Sequence, residues 1–231
     1  MYLLQKDFYA KVRPMFEKML DYETTIRWVF GDIDAPCQTY VDGLTNPETC
    51  FIEMIWGFCY FKGKYNEQFI NSCLDSILGF HAIFADNKLL NEIENNFLTN
   101  RNYKRGTRRS YILNVEKFLR NKFSFIELPG NYELILKPEE VILMYNGKRA
   151  GHCNGAYNET LTEINIDVFL EEEHRNKGIG SLVCAKLIDY HLSQNHDEIT
   201  WGCDGHNFPS IRCAEKLGFD LICENEMIII Q

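Results

Sequence analysis

The chain has 231 residues, of which 45% are hydrophobic, 25% charged and 13% aromatic, a balance that excludes a disordered, collagen-like or solenoid protein. Roughly 70% of the unfolded surface can be buried at this length, so no disulfide or metal staple is needed and one large or two small domains fit. With 24 Lys and Arg against 33 Asp and Glu, the net charge of −9 argues against a general nucleic-acid binder, which needs concentrated positive charge.

Phe8, Val12, Phe16 and Leu20 recur at four-residue spacing, an amphipathic helix that Pro14 should kink or split, and a short helix is expected from Thr24 to Phe30. Three short strands follow at Gln38 to Val41, Cys50 to Trp56 and Gly57 to Phe61, punctuated by Asp42-Gly43, Asn46-Pro47 and Gly57. Helical spacing returns from Tyr65 to Leu78, then a strand from Phe80 to Ala85 and a helix from Asn87 to Phe97. Asn100 to Ser110 holds five basic residues and no apolar period, so it reads as a loop or as a patch for an acidic ligand. A short helix over Val115 to Lys122 precedes Pro129-Gly130-Asn131, three turn formers that mark a boundary between domains 1–128 and 129–231.

Beyond the boundary, Tyr132 to Leu136 and Val141 to Tyr145 are rich in β-formers, Asn146-Gly147 signals a hairpin, and a strand returns through Ala150 to Tyr157. Leu161 to Leu170 alternates Ile164, Ile166 and Val168 against Glu163, Asn165 and Asp167, the period of a half-buried strand. A helix runs from Ile179 through Tyr190, Glu198 to Cys203 forms a strand, and Asn207 to Leu217 forms a helix with Pro209 in its first turn and Gly218 as its cap. Two strands near Phe219 to Cys223 and Met227 to Ile230 close the chain.

All the excess acid lies in residues 131–231, where 8 basic residues face 17 acidic ones. Such a field suits a cationic, amine-bearing substrate, although it also serves solubility. Nine cysteines without any Cys-x-x-Cys pair indicate reduced thiols. The first residues carry charge by Lys6 and no apolar run reaches membrane-spanning length, so a cytoplasmic protein without a membrane partner is expected.

The chemistry concentrates after the alternating strand, at Arg175-Asn176-Lys177-Gly178-Ile179-Gly180-Ser181. Glycines between a strand and a helix let the backbone approach a ligand, and the unpaired N–H groups of a helix start attract phosphate, so a pyrophosphate cradle is the physical inference. Tight strand-to-helix turns use glycine for sterics alone, and the spacing by itself does not decide between the two.

The ensemble Arg175-x-x-Gly178-x-Gly180, Asn207-x-x-Ser210 and Glu215-Lys216-Leu217-Gly218-Phe219 resembles the GNAT superfamily of N-acyltransferases over about 100 residues, Tyr132 to Gln231. More narrowly, DGLTNP, GFCYFKG and CDGHNFPSIRCAEKLGF look like the subfamily named for zwittermicin A resistance. The resemblance implies an α/β fold with a mixed sheet, GNAT-type in the C-terminal half, and a reaction in which acetyl-CoA, without metal, acetylates a primary amine of a small molecule. It also implies that the amides of Arg175, Asn176, Lys177, Gly178, Ile179, Gly180 and Ser181 bind pyrophosphate. Phe169 and Leu170 would pair with pantetheine as an added strand, the Leu170 amide would polarise the thioester carbonyl, and Asn207 and Ser210 would approach the pantetheine arm.

One position departs from the family. Many relatives carry a tyrosine seven residues after the asparagine to protonate the departing thiolate, and here that position is Ala214, which leaves the acid role unassigned; the thiolate is a fair leaving group, and Ser210 or water could substitute. Candidates for the base that deprotonates the amine are Glu163, Asp167, His152 and the pair Asp204 and His206, with Glu163 favoured; Glu163, Asn165 and Asp167 would equally suit a solvated strand face. A Rossmann unit lacks its Gly-x-Gly-x-x-Gly, zinc lacks a second ligand pair beside Cys203 and His206, and a thiol nucleophile lacks any supporting spacing. A non-catalytic acyl-CoA sensor or partner-binding module is the alternative that Ala214 keeps open. The N-terminal half repeats the order of strands and helices of the C-terminal half and reads as a degenerate copy. Its matching junction, Lys62-Gly63-Lys64-Tyr65, lacks the Gly-x-Gly spacing, so it is expected to wall the acceptor cleft without binding coenzyme.

Overall fold

The computed structural model describes residues 1–31, 35–99, 101–121, 127–158, 163–196 and 198–231. Its elements in chain order begin with β1 (Tyr2–Leu3), two 3-10 turns (Lys6–Lys11 and Arg13–Phe16), α1 (Glu17–Leu20), α2 (Thr24–Phe30), β2 (Cys37–Val41), β3 (Thr49–Met54) and β4 (Phe58–Gly63). They continue with α3 (Glu67–Ser76), β5 (His81–Phe84), α4 (Asn87–Phe97), β6 (Tyr103–Leu113) and α5 (Val115–Asn121). The remainder is β7 (Tyr132–Leu136), β8 (Glu140–Tyr145), β9 (Lys148–Asn158), β10 (Glu163–Leu170), a 3-10 turn (Glu172–His174), α6 (Ile179–Ser193), β11 (Glu198–Asp204), α7 (Phe208–Leu217) and β12 (Phe219–Ile230). No helix among the described residues is long and apolar enough to cross a membrane.

The chain divides into two compact units, Met1–Arg108 with Asn225–Gln231, and Arg109–Glu224. The division falls inside two long strands, β6 and β12, each of which gives one half to each unit, whereas Pro129-Gly130-Asn131 forms only the turn that enters β7. A turn tripeptide marks a change of direction, and a division between cores need not coincide with it.

In the first unit, β2, β3 and β4 are antiparallel, β4 runs parallel to β5, and Met227–Ile230 of β12 pair antiparallel with His81–Phe84. Alternation along the strands serves two cores. Cys50, Ile52, Met227 and Ile229 face the cluster that holds Phe16, Ile26 and Val29, while Phe51, Ile83, Ile228 and Ile230 face the one built with Ile70 and Leu74 of α3 and Leu90 and Ile93 of α4.

In the second unit β7 to β10 form an antiparallel meander and β10 pairs parallel with β11. Its core takes Ile164 and Ile166 from β10, Val183, Leu187 and Ile188 from α6, and Ile211, Ala214 and Leu217 from α7. From β2 and from β8 onward, the order of three antiparallel strands, helix, parallel strand, helix and strand is thus the same in both units, as the repeat in the sequence implied.

Pro14 splits the amphipathic stretch, as its position implied, into a pair of 3-10 turns and a four-residue α-helix, because proline lacks the N–H that would continue the ladder. Two expectations change. The basic stretch 103–110 belongs to strand β6 and is not a loop: Arg105 bonds Glu94, Asn91 and Glu226, and Arg109 bonds Glu224, so these two charges are paired within the protein. The last two strands are one, β12. Residues 100, 122 and 161–162 of the expected elements lie outside the described residues.

Candidate active site at the end of strand β10

The registers of β10 on its two sides end at different places. With β9 it runs from Glu163↔Asn158 to Leu170↔Gly151, but with β11 it stops at Ile166↔Trp201. Residues 167–170 therefore keep one neighbour and face a gap on the β11 side. Glu171 N–H donates to the Ala150 carbonyl at 2.9 Å, which makes the odd-numbered positions the hydrogen-bonded pairs with β9. The main-chain groups of Val168 and Leu170 consequently point into the gap, while those of Phe169 are directed at His152 on β9. Of the two residues expected to pair with pantetheine, Leu170 is directed into the gap and Phe169 toward β9; Val168, not named from the sequence, shares the gap with Leu170.

The turn after β10 folds back over its end. Arg175 Nε donates to the Leu170 carbonyl at 2.7 Å, and its guanidinium lies 5.6 Å from the centre of the Phe169 ring. Leu170 N–H is left as the donor on the gap side. Gly151 lies directly beneath: a Cβ there would stand 2.5 Å from both Phe169 O and Leu170 Cδ2, so only glycine lets β9 approach this strand end.

α6 starts at Gly178, which caps it in the left-handed conformation (φ 76°) and supplies no side chain to bond the first N–H groups. The comparable starts of α3, α4 and α7 are closed by Asn66, Asp86 and Asn207, whose side chains accept from Phe69, Leu89 and Ser210 amides. An uncapped start of a 15-residue helix presents unsatisfied donors and roughly half a positive charge. Asn176 also takes a positive φ of 59°, Lys177 is exposed, and Ile179 is buried, so of Ile179 only the amide is on offer. A Cβ on Gly180 would meet only Leu170 Cδ1, at 3.5 Å, which sets the helix start directly over the strand end and leaves the glycine face open. Ser181 is buried with its hydroxyl 3.5 Å from Cys213 Sγ, which turns its side chain toward α7.

Across the gap, β11 ends at the same edge of the sheet because it runs parallel to β10. Trp201, the last residue in register, donates from Nε1 to Ser210 Oγ at 3.0 Å, which leaves the Ser210 proton to be given elsewhere. Asn207 uses its oxygen to cap α7. Ala214 is fully buried in the core.

The base candidates separate by position. Glu163 is 1% exposed at the opposite end of β10, seven residues or roughly 23 Å from Leu170, beyond the reach of a base acting at that amide. Asp167 is exposed and His152 half-buried on the same face of the sheet near Leu170, with the His152 and Phe169 rings 5.8 Å apart. Asp204 and His206 are exposed at the end of β11. The structure thus brings together Leu170, Arg175 and Gly180, holds Ser210 against Trp201 of β11, and leaves Glu163 apart. Burial holds the Cys184 thiol well above the ordinary range, and hydrogen bonding with Cys184 does the same to Cys213, so neither is a thiolate nucleophile at neutral pH.

Residues 111–219 match the Acetyltransferase (GNAT) family. This segment is similar to that family. Solved structures carry the likeness over the whole chain: a GCN5-related N-acetyltransferase-like protein from Streptococcus suis superposes with a TM-score of 0.72 at 16% identity, covering 97% of this chain and 100% of its own. A Drosophila protein gives 0.66 at 11% identity, covering 100% and 98%. A tandem GNAT protein from the clavulanic acid biosynthesis pathway gives 0.63 at 10% identity, covering 99% and 97%. At these identities the likeness is one of fold. No curated protein matches the sequence. In the second unit the splayed strands and the glycine-capped helix are adjacent; in the first unit the equivalent helix α3 is closed by Asn66, and a Cβ on Gly63 would lie 2.0 Å from Glu48 O.

Proposed function

We propose that the protein is an N-acetyltransferase that moves an acetyl group from acetyl-CoA to a primary amine of a small molecule. Acetyl-CoA, when bound, supplies the thioester carbonyl that the amine attacks. The observation that carries the reading is the early end of the β10–β11 register beside an uncapped, glycine-led helix. The amides of residues 176–181 hold pyrophosphate, that of Arg175 being used on the Glu172 carbonyl, and the main-chain groups of Val168 and Leu170 pair with an extended arm in the gap. Leu170 N–H stabilises the carbonyl oxygen as it gains charge, a fixed donor that needs no reorganisation. Asp167 or His152 accepts the proton lost by the amine, and Ser210, held by Trp201, gives one to the sulfur as the C–S bond breaks.

The net acidity of residues 131–231 supports a cationic acceptor. The resemblance to the zwittermicin-resistance subfamily, together with the likeness to a clavulanic acid pathway protein, makes an aminated antibiotic or similar metabolite the first acceptor to try, with the N-terminal unit serving the acceptor without binding coenzyme. Thiol release from acetyl-CoA across amino acids, polyamines, aminoglycosides and peptides tests donor, reaction and acceptor together. Saturable binding without turnover on any amine would favour the second reading, an acyl-CoA sensor, which the buried Ala214 at the usual place of the acid supports.

A further inference from the structure

We infer that His174 is a positioning residue for the coenzyme loop, seated in a socket made by the paired tyrosines of the β7–β8 hairpin; the inference rests on the coenzyme reading above. His174 immediately precedes Arg175 and is 4% exposed between two exposed neighbours. Its ring lies 5.5 Å from that of Tyr132 and 4.9 Å from that of Tyr145, and these tyrosines are cross-strand partners with rings 4.7 Å apart. Both ring nitrogens are engaged: Nδ1 is 2.8 Å from Tyr132 Oη and Nε2 is 3.0 Å from Glu173 Oε1. An ionised carboxylate only accepts, so Nε2 carries the proton and, in the neutral ring, Nδ1 accepts from the tyrosine hydroxyl.

The chain around this ring is tied as well. His174 N–H donates to Glu171 O at 2.9 Å and Arg175 N–H to Glu172 O at 3.2 Å. From Arg175 to Lys177 the side chains are exposed, and the next buried anchor is Ile179. The amides that face the pyrophosphate therefore hang between two fixed points, His174 and Ile179, through two positive-φ residues, Asn176 and Gly178. Without the first anchor the loop samples other conformations, and ordering it is subtracted from the free energy of coenzyme binding.

The test titrates acetyl-CoA into the full-length chain by calorimetry, alongside amide hydrogen exchange and the KM of an acceptor. His174→Phe keeps an aromatic ring but neither hydrogen bond, and should weaken Kd about tenfold; Tyr132→Phe, which removes one bond and no volume, should weaken it about threefold. Acceptor KM should stay within about twofold, because the loop does not serve the acceptor. Exchange should quicken over residues 171–178 while β9 and β10 keep their protection, and His174→Gln, which can donate and accept, should recover part of the affinity. If His174→Phe does not fold, Tyr132→Phe decides. Unchanged affinity in the folded variants, or faster exchange spread evenly over residues 109–224, overturns the inference and leaves the coenzyme reading standing. Absence of binding by the unsubstituted chain overturns that reading and this inference with it.

Discussion

At the scale of single residues, the two glycines of the loop do different work. Gly178 stands at φ 76°, where any L side chain is strained, whereas Gly180 has ordinary helical geometry and open space above it. Gly178→Ala should cost about 1–2 kcal/mol of stability in addition to weakening coenzyme binding. Gly180→Val should weaken binding with a melting temperature within a few degrees of the parent, which makes it the cleaner probe; calorimetry with a thermal melt separates the two. The carboxylates separate likewise: Asp167→Asn should lower kcat on the best amine by about 10²-fold at unchanged coenzyme affinity, and Glu163→Gln should leave kcat within about threefold. The sequence named both, since alternation says which residues share a face. It does not say at which point along the strand the neighbouring strand departs, and Asp167 lies at that point while Glu163 lies at the far end.

At the scale of elements, helix ends carry the functional contrast. Asn207 closes α7 with its side chain, so Asn207→Ala should cost about 1 kcal/mol, read as a fall of several degrees in the melting temperature, while Asn207→Asp should retain the cap. At the far end of α6, burial above all, and His196 with its ring nitrogen 3.1 Å away, push the His191 pKa down from 6.5 to about 4. The unfolded chain therefore takes up this proton first on acidification, and stability should fall as pH drops from about 6.5 toward 4; replacing His191 by Gln should flatten that part of a plot of melting temperature against pH. Most elements were legible in the sequence because their apolar periods are regular. β6 was not, because Lys104, Arg105, Arg108 and Arg109 leave its first half without an apolar period, and the carboxylates that pair with Arg105 and Arg109, those of Glu94, Glu224 and Glu226, come from distant parts of the chain.

For the whole molecule, the last strand decides. Met227 to Ile230, all buried, pair with β5, so removing residues 225–231 should expose the core of the first unit. Circular dichroism of the truncated chain should show an early, separate unfolding transition, and a single transition at the parent temperature would refute this dependence. By itself the sequence determined the α/β class, the repeat of strand and helix order, and the glycine loop with its family likeness, since each is written in local spacing and turn chemistry. Only the tertiary structure decided that the compact units divide within β6 and β12, that the gap opens after Ile166, and that His174 sits in a tyrosine socket. Strand partners and side-chain neighbours are chosen by burial summed over residues far apart in the chain, and no local pattern encodes that sum.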